Sequence, residues 1–191
     1  MGDEEVKATT LRGLILASIF VAITAILAQV QVQLWVVPFS GQTLGVGLVA
    51  TILGSRYGAL SMVGYLLVGL IGVPIFAGLS GGPHVVFGPT GGYIIGFIAA
   101  AYATGLILEK TSFNLRMALV ANVVGMFVSL IFGVIQLKFV LDLSWNAAMS
   151  SGFYPFLIVG FIKAFLASWI GILVRRRLIQ SNLLEKKAIA S

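Results

Sequence analysis

The chain contains no cysteine and a single histidine, His84. A disulfide framework and a thiolate metal site are therefore excluded, and one imidazole does not make a metal site. Charge is scarce too. Only 9% of the 191 residues are Asp, Glu, Lys or Arg, where a water-soluble domain carries roughly 25%. The six acids, Asp3, Glu4, Glu5, Glu109, Asp142 and Glu185, are scattered. None pairs with another inside an apolar run, so there is no general acid and base couple and no catalytic residue is assigned. The Gly-x-x-x-x-Gly-Lys-Ser/Thr string that cradles nucleotide phosphates is missing. This polypeptide is expected to hydrolyse no ATP, to hold no metal and to need no cofactor.

What remains is apolar. Hydrophobic residues make up 59% of the chain, and the mean hydropathy is +1.08. Its solvent must be largely lipid. The net charge of +6 does not point to nucleic acid, because the basic residues fall in short breaks between apolar runs, where they orient helices in a membrane. The first apolar stretch is too long for a cleaved signal peptide and no small-residue cleavage site follows it.

Runs of about 20 apolar residues bounded by charge or turn signals predict one all-α membrane domain over 1–191. Its six spans are 11–30, 43–53, 57–76, 90–108, 115–137 and 155–174. The second is short, and is either extended by what precedes it or tucked inside the bundle. With both termini cytoplasmic, the inner segments hold Lys7, Arg12, Arg56, Lys110, Arg116, Arg175, Arg176, Arg177, Lys186 and Lys187. Only Lys138, outside, and Lys163, within the sixth span, are left over. That bias follows the positive-inside rule, and five or seven spans would destroy it.

Small residues recur at helical spacing on three spans: Ser18, Ala22, Ala25 and Gln29; Gly92, Gly96, Ala100 and Ala103; and Ala118, Asn122, Gly125, Ser129, Gly133 and Gln136. Lipid gives apolar faces no reason to associate, so such stripes let backbones approach closely. Packing within the bundle explains all three. The first, on a terminal helix, is also the best candidate for meeting another protein.

Lys163 is the residue that most needs a reason. A lysine near a helix centre costs about 2.5–3.5 kcal/mol on insertion scales, and this one lies roughly 12 Å below Pro155 at 1.5 Å per residue. Two readings fit: a bond to helix-end carbonyls or to Asp142, or a donor to a polar ligand inside the bundle. Two connections on the outer side, 35–42 and 76–92, are rich in glycine and poor in charge. They suit either a ligand-covering lid or a re-entrant turn. Tyr93, at the start of the fourth span, is an interfacial anchor or a ligand contact. Topology places Gln42, Ser80, Gly81, Gly82, Tyr93, Gln136 and Lys163 in the outer half of one bundle, where a mostly apolar pocket with a few polar groups would take a small molecule.

The strings Val37-Pro38-Phe39-Ser40-Gly41-Gln42-Thr43-Leu44-Gly45-Val46 and Leu53-Gly54-Ser55-Arg56-Tyr57-Gly58-Ala59-Leu60 resemble the conserved region of the BioY family, the biotin-transporter S components. The match is closest over Gly72-Val73-Pro74-Ile75-Phe76-Ala77-Gly78, Gly81-Gly82 and Gly88-Pro89-Thr90-Gly91-Gly92-Tyr93, and Pro155-Phe156-Leu157 with Lys163-Ala164 resembles the family's last helix. The resemblance implies the substrate-binding subunit of an energy-coupling-factor (ECF) importer in the bacterial cell membrane. Such a subunit captures biotin from outside, docks on a transmembrane coupling protein driven by two separate ATPases, and reorients in the bilayer. The family's Ala-x-x-x-Ala docking pattern matches Ser18 and Ala22 here, with Ala25 on the same stripe. One departure stands out: the family usually has an aspartate three residues before the lysine, and this chain has Gly160. That leaves room for another vitamin or a biotin precursor as ligand. A non-binding structural subunit is the remaining alternative, and a lipid-modifying membrane enzyme is disfavoured by the missing acid and base pair.

Overall fold

The computed structural model describes residues 3–32 and 37–184, with side chains placed from residue 10 onward. The architecture is helical. In chain order it comprises α1 (Asp3–Gln29), the two-residue strands β1 (Gln31–Val32) and β2 (Phe39–Ser40), α2 (Gln42–Leu70), α3 (Pro83–Val86), α4 (Gly91–Lys110), α5 (Leu115–Val140), α6 (Trp145–Gly152) and α7 (Tyr154–Gln180). Five stretches are long and apolar enough to cross a membrane: Thr10–Gln29, Gln42–Leu70, Gly91–Lys110, Leu115–Val140 and Trp145–Gln180.

α2 is bent back on itself. Gly54 sits at φ 83, ψ −169, a conformation no helix contains, and one that glycine alone adopts cheaply. In a straight helix the 23 residues separating Gln42 from Tyr65 would span about 35 Å. Instead the Gln42 amide donates to the Tyr65 hydroxyl at 2.9 Å. A Cβ added to Gly58 would stand 3.1 Å from Ala50 Cα, so the two arms, 42–53 and 55–70, pack directly on each other. The expected second and third spans are these arms. The first arm is buried at Val46, Val49, Ala50, Ile52 and Leu53, which makes it the inner rod of the bundle. The second ends at Leu70, short of the expected 76, because Gly72 takes φ 102 and Pro74 cannot continue the ladder.

The remaining helices run on beyond their expected limits, with α5 reaching Val140 and α7 reaching Gln180. Asn114 caps α5 by accepting from the Met117 amide, and Pro155 occupies the first turn of α7, where its missing N–H costs nothing. Helix α6 was not expected from the sequence; Ser144 caps it. The buried face of α1 is Gly13, Ala17, Phe20, Thr24 and Ala28, and Ser61 on α2 donates across to the Ala17 carbonyl at 2.8 Å. Ser18 and Ala22 are exposed on the opposite side, with Ala25 half-buried.

The other stripes pack α4 on α5. A Cβ on Gly96 would stand 2.8 Å from Phe132 Cβ and 3.1 Å from Ser129 Cα, and one on Gly133 would collide with the Tyr93 ring. At the far end, the turn at Gly54 is fastened to α4 and α7. Glu109 accepts from the Ser55 amide at 2.9 Å and the Ser55 hydroxyl at 2.7 Å. Arg175 donates to the Ile52 carbonyl with its guanidinium 3.6 Å from the Phe113 ring centroid. On the same face, Arg12 of α1 donates to the Asn182 carbonyl just past α7 at 3.3 Å. The N-terminal half of α1 and the end of α7 therefore meet on this face.

Candidate functional site

The opposite end of the bundle holds a cavity of about 440 Å³. The first arm of α2 and helices α4, α5 and α7 form its walls, and the segments 37–43 and 76–90 form its rim. Most of the lining is apolar, including Val46, Phe76, Ile94, Phe97, Leu130 and Phe156, with a few polar groups among it.

Lys163 is one of them. It lines the cavity, and its Nζ donates to the Ser40 carbonyl at 2.7 Å. The bond to Asp142 is not made: that residue is exposed in the turn before α6, at φ 49. An ammonium has three donors, so one neutral carbonyl leaves most of the charge's hydrogen-bonding capacity for whatever enters. Ser40 belongs to a short relay. Its hydroxyl bonds Gln42 Oε1 at 2.6 Å, the Gln42 amide donates to Tyr65, and the Tyr65 hydroxyl donates to the Ile75 carbonyl at 2.8 Å. Gln42 is thus a cavity residue that also ties the 39–42 rim to the loop after α2.

The other expected residues divide. Ser80 and Tyr93 line the cavity. The Tyr93 hydroxyl, however, donates to the Gly152 carbonyl at 2.7 Å, so it offers its ring to the cavity and its hydroxyl to α6. Gly81 and Gly82 lie behind the rim; Gly81 packs on the Val73 carbonyl, and Gly82 takes φ 97 to start α3. Gln136 also stands outside the wall. Its amide donates to the Val86 and Gly88 carbonyls at 2.8 and 2.7 Å, clamping the loop that precedes α4. His84 reaches the cavity mouth. Of the outer connection 35–42, residues 35 and 36 lie outside the described residues.

Sequence reasoning placed Ser40 and Thr90 only within the two outer connections and left Asn122, Gly125, Met126 and Ser129 out of the site, and all six line the cavity. Asn122, Gly125 and Ser129 belong to the small-residue stripe of α5, so the signal was present but spoke equally for packing. Ser40 acts through its backbone carbonyl, which side-chain chemistry does not announce. At Gly160 a Cβ would collide with Met126 Sδ, so the thioether fills the space that a side chain there would need. No group of three His, Cys, Asp or Glu side chains gathers to hold a metal ion among the described residues.

This geometry has close counterparts. The biotin transporter BioY2 of Lactococcus lactis subsp. cremoris is 37% identical over 174 residues, covering 91% of this chain and 96% of that protein. The biotin transporter BioY of Thermotoga maritima is 38% identical over 166 residues, covering 87% and 97%. Among solved structures, the S component for biotin from an ECF-type ABC transporter superposes with a TM-score of 0.79 at 25% identity, over 92% of this chain and 95% of that one. The BioY family model matches residues 3–180. With nearly its whole length matched in sequence and in fold, the chain is a multi-pass membrane protein of the BioY family.

Proposed function

We propose that the chain is the substrate-binding subunit of an ECF-type importer, taking biotin from outside the cell into the 440 Å³ cavity and doing no chemistry on it. One observation carries the reading: a lysine deep in α7 lines a mainly apolar chamber and, among the described residues, has the Ser40 backbone carbonyl as its one hydrogen-bond partner. A charge kept in the bilayer at such cost marks a functional site, and the chamber's size falls within the range of small-molecule pockets.

Six crossings with both termini cytoplasmic follow if the two arms of α2 count separately. The Arg12 to Asn182 bond supports this, because it joins the N-terminal half of α1 to the end of α7 on the face that carries Arg56, Lys110, Arg116 and Arg175 to Arg177. The partners are then a transmembrane coupling protein, met by Ser18, Ala22 and Ala25 of α1, and two ATPase subunits, in a bacterial plasma membrane. No cofactor is assigned.

A thermal-shift assay with and without biotin tests the binding. A ligand that binds only the folded state stabilises it by RT ln(1 + [L]/Kd), whereas a purely structural subunit gains nothing. Lys163→Ala is expected to weaken labelled-biotin binding at least tenfold, about 1.4 kcal/mol. Unchanged binding in that variant removes Lys163 from the site. A second reading, a biotin precursor or another vitamin as ligand, is favoured by Gly160 and the Met126 side chain over it. A competition panel separates the two.

A further inference from the structure

We propose that Asn122 is a specificity-determining residue, whose side-chain oxygen accepts a hydrogen bond from a ring N–H of the ligand at the inner end of the cavity. This rests on the biotin-binding reading above and names the part of the ligand that is read.

The orientation of the Asn122 amide is fixed by its neighbours. Nδ2 contacts Thr51 Oγ1 at 2.9 Å, the Ala118 carbonyl at 2.9 Å and Ser168 Oγ at 3.0 Å. The Ala118 carbonyl only accepts, and Ser168 already spends its proton on the Ala164 carbonyl at 2.6 Å, so it too receives from Asn122. A flipped amide would set oxygen against oxygen. Nδ2 thus shares its two protons among acceptors on three helices, and Oδ1 is turned to the Gly47 side.

Among the described residues Oδ1 accepts no hydrogen bond from protein, although Asn122 is only 5% exposed. It lies over Gly47, where a Cβ would collide with it, and both residues line the cavity. The atom is not sealed in, since among the described residues the buried side-chain polar atom without a partner is Gln31 Oε1; Oδ1 opens to the cavity and is available to a donor that enters it. The same missing Cβ would meet Ala167, which is one helical turn along α7 from Lys163. The inner chamber thus offers a cationic donor and, about one turn deeper, a neutral rigid acceptor.

That pair fits a ring bearing a carbonyl beside an N–H, as in a cyclic urea or cyclic amide. A carboxylate alone would satisfy Lys163 and leave Oδ1 bare. An acceptor that is pre-positioned discriminates strongly against an analogue lacking the donor, because its own desolvation then goes uncompensated.

The test uses the purified full chain and three ligands: biotin and its two forms methylated at one ring nitrogen. On the wild type, one methylated form is expected to bind at least tenfold more weakly than biotin. In Asn122→Ala, biotin itself weakens about tenfold and the gap between biotin and that analogue closes to within threefold. Thr51→Val and Ser168→Ala keep the amide but loosen it; each is expected to narrow the gap at least threefold, and they decide the matter if Asn122→Ala does not fold. A gap that survives undiminished in these variants overturns the proposal, as does a wild type that binds all three ligands equally. A folded wild type that binds no biotin at all overturns the ligand assignment itself, which is a different result.

Discussion

Gln29, the last residue of α1, holds the rim of the cavity by both ends of its amide. Oε1 accepts from the Leu79 amide at 2.9 Å, and Nε2 donates to the Phe76 carbonyl at 3.1 Å. Leu79 and the neighbouring Gly78 both have positive φ, 52 and 72, in a tight turn closed by the Phe76 to Ser80 pairing. The turn lines the cavity through Phe76, Ala77, Gly78 and Ser80. Gln29→Ala removes two bonds to the loop, each worth about 1 kcal/mol. Labelled biotin is expected to dissociate about ten times faster from this variant, with its association rate little changed. A stopped-flow or filter-binding chase reads both. An unaltered off-rate would show that the turn stays shut without α1.

Gly160 and Met126 form a coupled pair. Placing an acid at position 160 sets it against Met126 Sδ, the adaptable end of a side chain that must then move within the cavity it lines. Gly160→Asp is therefore expected to lower the unfolding midpoint in detergent and to weaken biotin binding. Met126→Ala in the same chain should return most of both losses, giving a coupling energy above about 1 kcal/mol in the double-mutant cycle. Additive effects would mean that the two side chains do not compete for the same space.

The apolar rods were legible because length and hydropathy alone define a helix that lipid can surround. Lys163 was legible because a charge in an apolar run has so few explanations. The hairpin at Gly54 was half legible: the string Leu53-Gly54-Ser55-Arg56 marks a break, but only the Gln42 to Tyr65 bond shows the arms returning side by side. The roles of Gln136 and Gly81 could not be read, since each depends on a backbone carbonyl brought from elsewhere in the chain. The unforeseen α6 is an amphipathic turn too short to register as a span, and its place becomes evident only when the Tyr93 hydroxyl reaches the Gly152 carbonyl.

Ser55 and Glu109 fasten the Gly54 turn at the end remote from the cavity. Removing the carboxylate in Glu109→Ala leaves the Ser55 amide and hydroxyl without the acceptor they share, a loss of about 1–3 kcal/mol. Ser55→Ala forfeits only the hydroxyl bond and is expected to cost less. Thermal unfolding in detergent gives both numbers. Biotin affinity should change by less than threefold in either variant, because the turn lies outside the cavity wall. A large affinity loss from Ser55→Ala would mean that the first arm of α2 transmits the state of its inner turn to the chamber.

The docking role proposed for the exposed face of α1 can be tested by separating capture from transport. Ser18 and Ala22 point away from the bundle, whereas Ala17, Phe20 and Thr24 on the other side are buried against it. Leucine at 18 and 22 therefore adds bulk only where a neighbour would pack, and close helix approach in lipid depends on small residues at the contact. The double variant Ser18→Leu, Ala22→Leu is expected to bind biotin within twofold of wild type and to unfold within a few degrees of it. It should fail to co-purify with a transmembrane coupling protein and the two ATPases when all are co-expressed, and should lose ATP-dependent biotin uptake in vesicles. Large apolar side chains, Leu14 and Ile15, are already exposed on this helix, so added apolarity by itself is not the perturbation. If the variant still assembles and transports normally, the stripe is not the docking face, and another surface of the bundle must carry that contact.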